Sequence, residues 1–110
     1  MMRIKTSELT GAALDWAVAK CEGEEVRLIK GQLETLWTDN GYKPSTNWAQ
    51  GGPIIEREEL SRLSCYNHNE WGCLNGEVFC EGPTPLIAAM RCYVASKLGD
   101  YIDIPEQLTP

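Results

Sequence analysis

The stretch that most constrains the fold lies near the end of the chain. Thr84 is followed by Pro85, then Leu86, Ile87, Met90, Tyr93, Val94 and Leu98 recur at helical spacing, and Gly99 follows the last of them. A threonine hydroxyl can accept from the unpaired amides of a first turn, proline fits the first helical position, and glycine suits a helix end. The spacing predicts a helix over residues 84–98 with an apolar stripe to bury. With 110 residues in all, a single domain over 1–110 with one core is expected, so the cover for that stripe comes from the same chain.

A second helix is predicted over residues 7–21. Leu9, Ala13, Trp16, Ala17 and Lys20 fall on one stripe, which Ala12, Leu14 and Val18 widen. Ser7 or Thr10 can cap it, and Gly23 is placed to stop it. Trp16 reads as a core residue on this stripe, and Arg91 as a solvated or oligomer-facing residue opposite the stripe of the last helix. Residues 25–30 are β-prone. Leu33, Leu36 and Trp37 need burial, without a pattern that separates strand from helix, and Asp39-Asn40-Gly41 marks a turn. Trp48 to Pro53 reads as a glycine loop feeding a strand over 54–57. Residues 60–81 read as hairpin material: an Asn75-Gly76 turn would pair Leu74 with Glu77, Cys73 with Val78 and Trp71 with Cys80, and place Trp71, Cys73, Val78 and Cys80 on one apolar face. Residues 101–104 alternate like an edge strand. The expected fold is α+β, two amphipathic helices packed on a small, mostly antiparallel β-sheet.

Charge and motifs exclude several functions. The formal net charge is -6, with acidic runs around Glu24 and Glu58 and no Lys/Arg run, which argues against binding duplex nucleic acid through its phosphates. No apolar stretch approaches the roughly 20 residues that cross a bilayer, nor does the N-terminus carry a signal-peptide core; a cytoplasmic protein is expected. The five cysteines are an odd, scattered set, as in a reduced compartment. Cys65, His68, Cys73 and Cys80 give C-x2-H-x4-C-x6-C, only loosely like a zinc knuckle and without a tight C-x-x-C pair, so no metal site is assigned. His68 is the one histidine, in a polar stretch that reads as a loop, and there is no HExxH, P-loop or dinucleotide fingerprint. Neither a catalytic residue nor a cofactor is assigned, and binding is favoured over catalysis.

The richest segment for a ligand is residues 47–57. Gly51 and Gly52 can admit backbone amides close to a ligand, Trp48 offers a stacking face, and Asn47, Gln50 and Arg57 offer directional hydrogen bonds. That combination suits a small nucleotide-like molecule. The competing reading is structural, with Trp48 plugging the core and Gly-Gly-Pro shaping the entry to a strand.

Three blocks, KTSELTGAALDWAVAKCEG, STNWAQGGPIIERE and GPTPLIAAMRCYVASKLGD, together resemble the NinX family of small proteins encoded by lambdoid temperate phages and enterobacterial prophages. The resemblance covers about half the chain and leaves out residues 60–81. It implies an accessory phage protein made in the cytoplasm of an infected bacterium, and carries no activity with it. Two further readings stand beside the ligand-binding one: an adaptor or inhibitor that presses an acidic, aromatic surface against a host or phage protein, and a small zinc-stabilised module. Four tryptophans and four tyrosines are many for this length, so a homo-oligomer is expected.

Overall fold

Thr84 accepts the Ile87 amide through Oγ1 at 3.1 Å, and Pro85 is the first residue of the last helix, so its start is the one read from sequence. In this computed structural model, which describes residues 1–35, 41–60 and 62–108, that helix is α3 (Pro85–Leu98). Leu36, Trp37 and the Asp39-Asn40 part of the expected turn lie outside the described residues.

α3 is covered well beyond a stripe. Ala88, Ala89, Met90, Cys92 and Val94 are all 0% exposed, although their side chains point in different directions around the helix. Alanines let the neighbouring elements come close. At Gly82 a Cβ would sit 2.8 Å from the Ala88 backbone nitrogen, so a sheet end and the first turn of α3 meet nearly backbone to backbone. Leu98, expected on the stripe, is 41% exposed because the helix runs out beyond its cover.

One face of α3 is covered by a three-stranded antiparallel sheet, β4 (Arg62–Asn67), β5 (Glu70–Asn75) and β6 (Val78–Gly82), in that spatial order. The hairpin expectation needs a correction in register. Asn75 pairs with Val78 and Cys73 with Cys80, so the central turn residues are Gly76 and Glu77. Gly76 has φ +63° and Glu77 does not share that sign, the pattern of a type II′ turn with glycine first. The slip is two residues, which preserves the faces: Trp71, Cys73, Val78 and Cys80 do share the core side. His68 and Asn69 form the exposed β4–β5 turn.

Two smaller antiparallel sheets complete the strands. β1 (Met2–Lys5), too short to be read from its sequence, pairs with β7 (Tyr101–Ile104) from Met2↔Ile104 to Lys5↔Tyr101; this supplies the partner for the expected edge strand. β2 (Arg27–Ile29) and β3 (Gln32–Glu34) form a hairpin across Lys30 and Gly31, at φ +51° and +81°, as a type I′ turn requires. Leu33 is its buried residue.

α1 (Gly11–Glu22) starts four residues later than its stripe suggested, because residues 6–8 form a separate 3₁₀ turn. Gly23 ends it at φ +71°, as expected. Ala13, Leu14, Ala17 and Val18 are its core face, Asp15 is buried as well, and Lys20 is exposed with its ammonium 5.0 Å from the Trp16 ring. Trp16 is half-buried against the core.

The main departure from the sequence reading is α2 (Trp48–Arg57), a helix where a glycine loop and a strand were expected. Asn47 caps it, its Oδ1 accepting the Ala49 amide at 2.8 Å. Pro53 cannot donate to Ala49 four residues back. Both residues are exposed, so water can take the freed carbonyl, and the break signal does not break the helix. Ile54 is buried on the inner side.

Candidate functional site

The residues singled out in 47–57 fall into two groups at opposite ends of α2. Trp48 and Arg57 are nine residues apart, about 13 Å at helical rise, so one small molecule does not engage both in the way a loop would have allowed.

Around the N-terminal end most of the polar groups are committed to the fold. The Asn47 side-chain oxygen, Oδ1, caps the helix. Gln50 clasps the preceding segment: its Oε1 accepts the Lys43 amide at 2.8 Å and its Nε2 donates to the Gly41 carbonyl at 3.0 Å. Gly51 is a packing glycine, since a Cβ there would lie 2.3 Å from the Pro44 carbonyl oxygen and 2.6 Å from Leu86 Cδ1. Its amide donates to the Asn47 carbonyl at 2.9 Å. Gly52 is roomier, with only Trp48 Cε3 at 3.9 Å. Trp48 itself is 55% exposed; it does not plug the core, and its indole lies along the helix towards Gly52.

At the C-terminal end Arg57 is part of an ionic network. Its Nη1 donates to Glu22 Oε1 at 2.9 Å and its Nε to Glu58 Oε2 at 2.9 Å, while Lys97 reaches Glu58 at 3.2 Å. The Tyr93 hydroxyl donates to Glu22. Burial would raise the Glu22 carboxyl, but the hydrogen bonds from Arg57 and Tyr93 outweigh it and hold the group below the usual carboxylate range. Arg57 therefore ties the ends of α1 and α2 to α3.

Beside the Asn47 end opens a cleft of about 690 Å³, bounded by the start of α1, the β2–β3 hairpin and residues 41–47, with Asp15, Gln32, Tyr42, Lys43, Thr46 and Asn47 in its lining. Asp15 is its distinctive group. It is only 6% exposed, and its Oδ1 accepts the Ser45 amide at 2.9 Å. Burial pushes its carboxyl up to about 6, against the opposing pull of Ser45 and the Lys43 charge. Burial and nearby acids also raise the Tyr42 phenol, which like any phenol is a donor at neutral pH. A raised carboxyl, a protonated phenol, an ammonium and two amide side chains converge on one space, and such perturbed groups mark candidate sites. Asn47 is the residue that both the sequence reading and the cleft share. Asp15 was missed, although a carboxylate between Leu14 and Trp16, next to a stripe, was the available signal.

The other candidates separate. Cys73, Cys80 and Cys92 are buried between β5, β6 and α3, whereas Cys65 and His68 are exposed. Among the described residues no group of three or more His, Cys, Asp or Glu is arranged to hold a metal ion. The Cys80 thiol is pushed up to about 11 by burial, the signature of an inert packing thiol. Arg91, expected in solvent, is half-buried and staples the fold, donating through Nε to the Leu9 carbonyl and through Nη1 to the Glu81 carbonyl, both at 2.7 Å. No helix among the described residues is long and apolar enough to cross a membrane.

Fold and site together define a small α+β fold wrapped on a buried central helix, with a polar cleft at the capped end of a short second helix. The chain belongs to the NinX family of phage proteins: the family model described as "Bacteriophage P22, NinX" matches residues 5–97, a span that takes in α1, α2 and nearly all of α3. No curated protein matches the chain.

Proposed function

We propose that the protein is a non-enzymatic binding protein acting in the cytoplasm of the infected bacterium, and that it captures a small nucleotide-like molecule in the cleft beside the start of α2. The observation that carries this reading is the nearly buried Asp15 carboxyl in a polar cleft shared with Lys43, Tyr42 and Asn47. Lys43 supplies a cation for a phosphate, and Asp15, Thr46 and Asn47 supply donors and acceptors for the edge of a base. Exposed Trp48, one residue on from Asn47, supplies a stacking face for a larger ligand. Of the residues first singled out, Asn47 and Trp48 remain contacts in this proposal, while Gln50, Gly51, Gly52 and Arg57 act by building the helix that presents them.

A thermal-shift panel of nucleoside mono-, di- and triphosphates tests the reading. A ligand at about a hundred times its Kd stabilises the fold by roughly 2.7 kcal/mol, and Lys43→Ala is expected to reduce that shift without lowering the melting point of the free protein. If no nucleotide in the panel moves the midpoint, the cleft is not a nucleotide site.

A further inference from the structure

The outer face and the open edge of the three-stranded sheet carry a set of features that the cleft reading does not use. Antiparallel pairing alternates, and with Asn75↔Val78 as the hydrogen-bonded pair next to the turn, the backbone amides and carbonyls of Phe79 and Glu81 point away from β5. Arg91 takes the Glu81 carbonyl. The Phe79 amide and carbonyl and the Glu81 amide are left facing a groove. Two adjoining hollows run along that edge, about 420 Å³ and 690 Å³, sharing Ser7, Phe79 and Cys80. The opposite edge of the sheet, β4, is interrupted by a register shift between Cys65 and Asn67, a common way of blunting an edge. β6 pairs in unbroken register from Val78 to Gly82.

Side chains beside the groove say what fits it. Phe79 and Tyr66 are 46% and 50% exposed, their ring centroids 6.3 Å apart, and they lie over Gly72, where a Cβ would strike the Tyr66 hydroxyl and the Phe79 ring at under 3 Å. The two hollows are lined by four carboxylates, Glu70, Glu77, Glu81 and Asp100, against Lys5 and Arg91, and the Arg91 guanidinium is already turned to two carbonyls. A second copy would bring the same carboxylates to face these. We infer that the β6 edge is a docking site for a short extended segment of a partner protein, one bearing lysine or arginine, which adds as a further strand against Phe79 and Glu81 while an apolar side chain lies on the Tyr66–Phe79 pair. Main-chain pairing gives such strand addition its affinity, and charge complementarity selects the partner.

The test uses the full chain, an array of short random peptides, and amide NMR of the labelled protein with the best binders. Bound peptides are expected to be enriched in Lys or Arg, and the Phe79 and Glu81 amides to gain about tenfold protection from exchange when bound. Exchanging both exposed acids, Glu77→Lys with Glu81→Lys, is expected to weaken binding about tenfold and to turn the array preference towards acidic peptides, with an unchanged melting curve to show that the variant folds. No binding by any peptide, binding indifferent to charge, perturbations centred away from β6, or a concentration-dependent dimer that protects the same amides without peptide would each overturn the inference. Nucleotide binding in the cleft is independent of all these outcomes.

Discussion

Asp15 sits on α1 beside its apolar face, buried under residues 43–46, where a carboxylate pays for desolvation each time it ionises. With an ordinary value of 3.8 raised to about 6, the folded protein holds a proton that the unfolded chain has released between those two pH values. Stability contributed by this group is therefore full below about pH 4, falls as pH rises through 6, and stays low above it. Asp15→Asn keeps an acceptor for the Ser45 amide and removes the ionisation. Denaturant titrations at pH 3.5 and pH 8 are expected to show the variant roughly 1–3 kcal/mol more stable than the parent at the higher pH and close to it at the lower. A parent–variant difference that does not change with pH would mean that Asp15 ionises as freely as in water.

At the scale of elements, α2 shows most clearly what the sequence hid. Gly-Gly-Pro carries two strong loop signals, yet each glycine answers to a different constraint. Gly51 lets α2 lie against Pro44 and Leu86, where a methyl group would overlap both. Gly52 has room, but it precedes Pro53, a position where a side chain disfavours helical backbone. Gly51→Ala is expected to cost about 2 kcal/mol or more, as overpacking does, whereas Gly52→Ala should stay within about 1 kcal/mol of the parent because helix propensity and the proline restriction oppose each other. Melting both variants side by side checks the contrast, and equal losses would refute the packing account. α3, by comparison, was legible down to its cap, since Thr84, Pro85 and Gly99 are local signals that the packing did not override. The α+β class and the sharing of one face by Trp71, Cys73, Val78 and Cys80 were legible for the same reason, as alternation is local. The hairpin register was not, because Asn75-Gly76 and Gly76-Glu77 both offer a tolerable turn and the choice rests on how Cys80 and Gly82 seat on α3. Of the candidate site, Asn47 could be read; Asp15, Tyr42 and Lys43 could not, because the cleft joins segments that only the tertiary fold brings together.

Across the whole molecule, contacts divide into a nearly continuous block and a remote clasp. From β4 through α3 the chain folds back on neighbours close in sequence, two hairpins and the helix that covers them. β1, in contrast, meets β7 across nearly the entire chain, Met2 beside Ile104, with the terminal amine 3.8 Å from Glu106 and Thr6 Oγ1 donating to the Gly99 carbonyl at 2.9 Å. Joining such distant segments carries a loop-closure entropy that near neighbours avoid. The clasp should be the last part to form and the first to let go: native-state hydrogen exchange is expected to show the β1 and β7 amides opening by a local route at lower free energy than those of β5 and α3, and a single opening energy for all of them would refute this order. A chain fastened in this way behaves like a belt whose buckle lies apart from the waist it holds. Undoing the buckle would lay bare Ile104 and the flanks of α1 and α3 that β7 covers, and the protein is then expected to loosen at that corner before the sheet and its central helix lose their shape.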